Sequence, residues 1–424
     1  MELSELLRGK ENCECGMSHY CPIKYLVIEE GALKKIPELV AEYSNILIVA
    51  DVNTYRVCGK AVEELISDKV ESVLVYEGEG VLVPNEDAIE KLSAKVSDKT
   101  DLIVGVGSGV INDLCKHVSF VKKLPYYIVA TAPSMDGYAS KGSALILGGM
   151  KVTLNADVPT AIIADVDVIK EAPFDMIQAG YGDIIGKFSC LNDWKLSHVV
   201  NGEYICDYVY NATLDTTKET LDLASKLTER DPVAVCALMK ALVTVGILMA
   251  YVGNSRPASG SEHHLSHYFE IVGILNNEPY FPHGIDVCYS AIETCKIREK
   301  VLSIKNINDF EFSFDSEAYE KNIKRVYSSI ADEIFALQNK MGWYDVDRVK
   351  IYKEKWAEVC AVLSESPSSA EMLEYVQRVG LRYEDFVDMY GEAKIADGRL
   401  YAKDLKDRYT VLWTLWELFG EEGK

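Results

Sequence analysis

Between residues 45 and 134, four short runs rich in β-branched residues alternate with amphipathic helical stretches, and that alternation constrains the fold more than any other feature of the chain. "NILIVAD" ends in Asp51, "ESVLVYEG" follows a helical "GKAVEELISD", "DLIVGVGS" follows "NEDAIEKLSAKVSD", and "PYYIVATAPS" follows a helix that starts near Val110. Strands alternating with helices of this length read as βαβ units and a parallel sheet. From about Pro173 the pattern changes to long helical stretches, among them "DPVAVCALMKALVTVGILMAYVG" and the terminal "DLKDRYTVLWTLWELFG". In the latter, Val411, Leu412, Leu415, Trp416 and Phe419 share one face at helical spacing. The expectation is an α/β, Rossmann-like domain over 1–172 followed by an all-α domain over 173–424, closely packed with a cleft between them.

Composition narrows the setting. A net charge of -22 opposes a role on nucleic acid or anionic lipid, since both need basic patches. Eleven scattered cysteines form no small-domain disulfide framework, and "MELSELLRGKENCECG" lacks the basic and apolar regions of a secretory leader. The expected compartment is the reducing cytoplasm. The run from Val233 to Gly253 approaches membrane length, but Lys240 interrupts it and nothing like it recurs, so it reads as a buried core helix.

"DLIVGVGSGVINDLCK" reads as a strand, a tight turn carrying Gly105, Gly107 and Gly109, and a helix start. Glycines there let backbone amides approach a phosphate at a helix N-terminus. The spacing is G-x-G-x-G, and "KKLPYY" stands where a dinucleotide fingerprint would place its acid. Asp51, ending an earlier strand, is the better ribose candidate. The alternative is that the glycines merely close the turn and Asp51 caps a helix.

Four of the seven histidines fall between 263 and 283. If 261–272 is helical, His263 and His267 share a face at i, i+4, and His264 is rotated about 100° away. His264 also occupies the place where a zincin would need its glutamate. His283 follows Pro282 at a turn, able to approach from a second element. A catalytic divalent ion usually adds a carboxylate to imidazoles and keeps an open position. Asp183 in "AGYGDIIGKFSC" offers one, with Lys187 one turn later on the same face. Asp183 as a helix N-cap is the alternative.

The blocks "GVGSGVIND", "ATAPSMDGYAS", "GYGDIIGKFSCLNDWKLS", "SRPASGSEHHLSH" and "PHGIDV" resemble, in order and spacing, the sn-glycerol-1-phosphate dehydrogenases of bacterial type. These belong to the iron-dependent alcohol dehydrogenase, glycerol dehydrogenase and dehydroquinate synthase superfamily. The resemblance spans nearly the whole chain, and it implies a dehydroquinate synthase-like fold and a place in phospholipid metabolism. It further implies that Asp183, His263 and His283 bind a divalent metal (Zn, Ni or Fe). Asp51, Gly107, Ser108, Gly109, Val110, Ile111, Thr131, Ala132, Pro133, Ser134 and Ser140 would face NAD or NADP. Asp136 and His267 would join Asp183 near the substrate, leaving His264 a bystander. The implied reaction interconverts dihydroxyacetone phosphate and sn-glycerol 1-phosphate, in a homodimer or larger homo-oligomer. Lys187 and Arg256 are the expected phosphate donors, and Arg256 could instead anchor its own loop. A glycerol dehydrogenase or a dehydroquinate synthase-like cyclase is the alternative activity.

In "NCECGMSHYC", Cys13, Cys15, His19 and Cys21 could ligate zinc. C-x-C-x3-H-x-C is not a common closed-site spacing and no second knuckle accompanies it, so the segment is expected to be a family-typical N-terminal stretch.

Overall fold

Six parallel strands run through the computed structural model, which describes residues 3–78, 82–148 and 150–423. The sheet order is β1 (Tyr25–Glu29), β8 (Ala161–Asp165), β5 (Tyr126–Ala130), β4 (Leu102–Gly107), β2 (Ile46–Asp51), β3 (Val70–Tyr76). β2, β3, β4 and β5 are the four strands expected from the sequence. β1 and β8 complete the sheet on the far side of β5, pairing with each other from Tyr25↔Ala161 to Glu29↔Asp165. β4, β5 and β8 are buried along their whole length, as parallel strands covered on both faces must be. A separate antiparallel hairpin, β6 (Gly142–Leu147) with β7 (Met150–Asn155), was not expected.

The chain forms two compact units, Met1–Ile184 with Lys218–Ser255, and Ile185–Thr217 with Arg256–Lys424. This division differs from the expected break at 172/173 because the apolar helix Pro232–Val252 packs in the first unit, on β1 and on the turn Asp136–Ala139. That helix is the one stretch among the described residues long and apolar enough to cross a bilayer, and 78% of its most apolar window is buried inside the protein. Asp231 caps its start through the Ala234 amide (2.9 Å), Pro232 opens it, and Gly253 ends it at φ 71°.

Two glycines set how closely helices approach the loop after β5. A Cβ on Gly180, in the helix Phe174–Ile185, would stand 1.8 Å from the Pro133 carbonyl oxygen. One on Gly246 would stand 2.7 Å from the Asp136 carbonyl oxygen and 2.8 Å from the Ala139 Cβ. Residues 133–139 are therefore clamped between two helix backbones.

The second unit is helical. Its last α-helix, Val411–Phe419, buries Trp413, Thr414, Glu417 and Leu418 as well as the expected Val411, Leu412, Leu415 and Trp416, so nearly its whole circumference is covered. Gly180→Ala and Gly246→Ala should each lower the unfolding free energy by about 1–3 kcal/mol through overpacking. Urea denaturation of the two variants against the native chain measures this.

Candidate functional site

In the first unit, β2 and β4 are neighbours, yet the chain leaves them in opposite directions, β2 toward β3 and β4 toward β5. The crevice at such a switch point is where open parallel sheets bind ligands. Asp51 ends β2 and Gly107 ends β4, so both stand at this crevice. Gly107 allows close packing: a Cβ there would meet Ile111 at 2.7 Å, and one on Gly105 would meet the Cys115 sulfur at 2.9 Å. Behind this turn the helix Gly109–Lys122 starts without a side-chain cap, since Ser108 bonds Ser134 instead (Oγ to Oγ, 2.5 Å). The amides of Gly109, Val110 and Ile111 thus open a 14-residue helix with its dipole unmasked by a capping oxygen.

Asp51 is a helix cap. Its Oδ1 accepts from the amides of Asn53 (2.8 Å) and Thr54 (2.9 Å) in a capping box, and the residue also borders a cavity of about 260 Å³ with Asn53, Tyr76, Asn85 and Lys91. The loop of Thr131, Ala132, Pro133 and Ser134 is tied to the glycine turn, the Thr131 amide donating to the Gly107 carbonyl at 3.1 Å. Tyr138 fixes it further by donating to the Ala132 carbonyl (2.7 Å). Ser140 accepts from the buried Lys116 ammonium (3.2 Å) and donates to the Gly137 carbonyl (3.0 Å), so its hydroxyl holds the 137–142 turn.

Asp183 is fully buried in the helix Phe174–Ile185, two residues from its end, so it is not the N-cap that the sequence allowed. One of its oxygens, Oδ2, accepts the Asp136 amide at 2.9 Å. The clamp on residues 133–139 therefore also fixes Asp183.

In the second unit, the expected helix spans Ser261–Asn276, and His283 is the first residue of the helix His283–Leu302. Three imidazoles converge, with ring centroids 5.1 Å apart for His263 and His283, 5.5 Å for His267 and His283, and 6.2 Å for His263 and His267. His264 points elsewhere, fully buried with neither ring nitrogen hydrogen-bonded among the described residues; burial, with Lys406, Arg408 and Arg256 nearby, holds it well below its ordinary pKa and neutral.

Two neighbours that the sequence reading missed fix the ring tautomers. The His263 Nδ1–H donates to Glu262 Oε1 at 2.7 Å, leaving Nε2 as the lone-pair nitrogen. Burial alone would raise the Glu262 carboxyl, but the His263 contact and the Gly260 amide hold it below its usual range. The His283 Nδ1–H faces Ser266 Oγ at 3.3 Å, while that hydroxyl donates to the His283 carbonyl at 3.4 Å. The available signal was a glutamate directly before the first histidine, a common outer partner of a metal-binding imidazole.

The expected phosphate donors fare differently. Lys187 is fully buried and donates to the Ala258 carbonyl at 3.0 Å. Arg256 needs a correction: its guanidinium pairs with both oxygens of Glu203 and donates to the Tyr409 carbonyl at 2.9 Å. It anchors its loop, the second of its two expected roles.

The sequence matches the iron-containing alcohol dehydrogenase family over residues 27–173. It is 33% identical over 297 residues to a glycerol-1-phosphate dehydrogenase (NAD(P)+) of Halalkalibacterium halodurans, covering 68% of this chain and 74% of that one. The chain belongs to the glycerol-1-phosphate dehydrogenase family. A second relative of the same name, from Geobacillus thermodenitrificans, is 30% identical over 375 residues, 86% of this chain and 85% of its own. In fold, the iron-containing alcohol dehydrogenase of Thermococcus thioreducens superposes with a TM-score of 0.55 at 16% identity, over 89% of this chain and 99% of that one.

The family blocks read from the sequence coincide with the elements just described: the glycine turn, the clamped loop, the Asp183 helix and the two histidine helices. Glu262→Gln keeps the shape but removes the charged acceptor on His263 Nδ1. Divalent-ion affinity of the purified chain should fall about 10–100-fold, read by titration against a chelator.

Proposed function

We propose that this chain is a metal-dependent, NAD(P)-linked dehydrogenase that interconverts dihydroxyacetone phosphate and sn-glycerol 1-phosphate. The reaction is the one carried in the names of its relatives, which are 30–34% identical to it. One observation bears most weight: within the second unit the rings of His263 and His283, carried by two different helices, converge with centroids 5.1 Å apart. Two imidazoles, with the buried carboxylate of Asp183 that the family resemblance adds, would suit a divalent ion that keeps a position open.

A divalent ion held there would supply Lewis acidity toward the substrate's oxygens, and a bound nicotinamide would supply or take up the hydride that interconverts the ketone and the secondary alcohol. The chain's own residues bind and orient. The first-turn amides of Gly109, Val110 and Ile111 suit a pyrophosphate, and Asp51 suits a ribose hydroxyl. His267, beside His263 and His283, is placed in this reading to exchange a proton with a substrate hydroxyl, and Asp136 to support Asp183 through its backbone. Lys187 is the remaining candidate cation for the phosphate. A cytoplasmic setting and a homo-oligomeric state belong to the same proposal.

The deciding experiment is turnover of dihydroxyacetone phosphate against dihydroxyacetone with NADH and NADPH, on apo protein and on protein reloaded with zinc, nickel or iron. The phosphorylated ketone should be strongly preferred and activity should require metal. Equal turnover of the unphosphorylated triose would move the chain to the glycerol dehydrogenases. Lys187→Ala should cost about 1.5–3 kcal/mol in kcat/KM for the phosphorylated substrate, the range of a hydrogen bond to a charged group. Arg256→Ala should lower stability and leave the preference between the two ketones unchanged.

His263→Ala and His283→Ala should lose metal and activity together, whereas His264→Ala should retain both; metal analysis of the three variants measures it. Asp51→Ala should lower stability by about 1 kcal/mol through the lost cap. It should also weaken NADH more than NADPH, and a stability loss with both cofactor constants unchanged would leave Asp51 a capping role alone.

A further inference from the structure

Lys116 is fully buried inside the first unit, about two turns into the helix Gly109–Lys122. Its ammonium donates to the Gly137 carbonyl (2.7 Å), the Gly142 carbonyl (3.0 Å) and the Ser140 hydroxyl (3.2 Å), one acceptor for each N–H. The Asp113 carboxylate, one helical turn away, stands at 3.7 Å and balances the charge. We infer that Lys116 is a positioning residue of the hydride-transfer site: it fixes the 136–142 turn, and with it Asp183, to the helix whose first turn would hold the cofactor's pyrophosphate. The inference rests on the dehydrogenase reading above.

The contacts that carry it form a continuous path within the first unit. At one end the helix lies hard against β4, where a Cβ on Gly105 would meet the Cys115 sulfur and one on Gly107 would meet Ile111. In the middle, Lys116 reaches the turn, and the Ser143 hydroxyl donates to the Asp113 carbonyl at 2.7 Å, so β6 is tied to the same helix. At the other end the Asp136 amide donates to Asp183 Oδ2 at 2.9 Å.

The choice of a lysine for this place is informative. Burial pulls its pKa down, with Asp113 and Asp136 opposing that shift, and an apolar side chain of the same length would fill the space without any desolvation cost. What an apolar chain cannot supply is direction. The approach of the Gly180 and Gly246 helix backbones acts by contact, which stops the turn from moving inward but does not stop it from rotating or withdrawing. Three bonds from one ammonium hold the carbonyls of Gly137 and Gly142 and the Ser140 hydroxyl at once, and so set the orientation of the turn that presents the Asp136 amide.

The test compares the native chain with Lys116→Met, which keeps the length and loses the donors, and with Lys122→Met, which alters an exposed lysine of the same helix. On metal-loaded protein, kcat is measured with saturating dihydroxyacetone phosphate and the NADH Kd by fluorescence titration. Hydrogen exchange of segments 109–115 and 133–142 is followed by mass spectrometry. Lys116→Met should lose about 10–100-fold in kcat with an unchanged NADH Kd, the pattern of displaced reacting groups rather than of lost binding. Exchange should quicken in 133–142 and stay native in 109–115. Lys122→Met should match the native chain throughout.

A lysine with only a structural role would lower the urea midpoint and leave the kcat of the folded protein native; that result overturns the inference, as does native exchange in 133–142. Equal losses of kcat and NADH affinity overturn it as well, since Lys116 would then support the cofactor. Should Lys116→Met not fold, Lys116→Gln, which keeps an amide donor, takes its place with the same deciding outcomes. A native chain that reduced neither dihydroxyacetone phosphate nor dihydroxyacetone would remove the dehydrogenase reading and the site Lys116 is inferred to serve. An active native chain with native kcat in Lys116→Met would remove this inference alone.

Discussion

The histidine cluster depends on one buried ion pair. Asp193 and Arg298 meet at 2.9 Å with essentially no exposure, and the carboxylate also accepts the amides of Ser261 (2.7 Å) and Val411 (3.0 Å). The Ser261 amide is the first of the helix that carries His263 and His267, so Asp193 acts as its anionic cap from a distant element. Gly260 makes the approach possible, because a Cβ there would stand 2.6 Å from both Asp193 Oδ2 and the Cys190 Cα. Arg298 is held in turn by Asn192 and the Ser189 carbonyl, and its own helix begins at His283. The two helices that present the imidazoles are thus referred to one charge pair. Removing one partner of such a buried pair leaves an uncompensated charge, at a cost of about 3–5 kcal/mol.

The first unit solves the matching problem mainly by backbone contact. Gly180 and Gly246 bring two helix backbones onto residues 133–139, and the Asp136 amide reaches Asp183 from within that clamp. Contacts made backbone to backbone allow little rotameric slack. In the proposed reading this loop carries cofactor-facing residues and supports Asp183, and such a role gains from rigidity, since small displacements of catalytic groups are costly.

Electrostatics explain how so acidic a chain keeps cations inside. Arg298, Arg348 and Lys403 are each paired in the interior with Asp193, Glu417 and Asp404, and Arg256 is paired with Glu203. These cations serve architecture. A dianionic substrate cannot draw on them without breaking the pairs that hold them.

The sequence by itself determined what is local. Alternating apolar runs marked β2 to β5, the glycine turn marked the start of the 109–122 helix, and the i, i+4 histidines marked the face on which His263 and His267 meet, because strand and helix periods are written residue by residue. It did not reveal β1 and β8, whose partnership joins residues 136 positions apart, nor the β6–β7 hairpin. It left a helix N-cap open as the alternative for Asp183, since two preceding glycines look like punctuation when the Pro133 carbonyl that Gly180 accommodates is unseen. The same blindness put the apolar 232–252 helix with the later helices rather than with the sheet, and left Arg256 open between a phosphate and its own loop while Glu203 was unseen. In each case the deciding partner is remote in the chain, and only the folded structure, where apolar burial and steric fit bring distant backbones together, selects it.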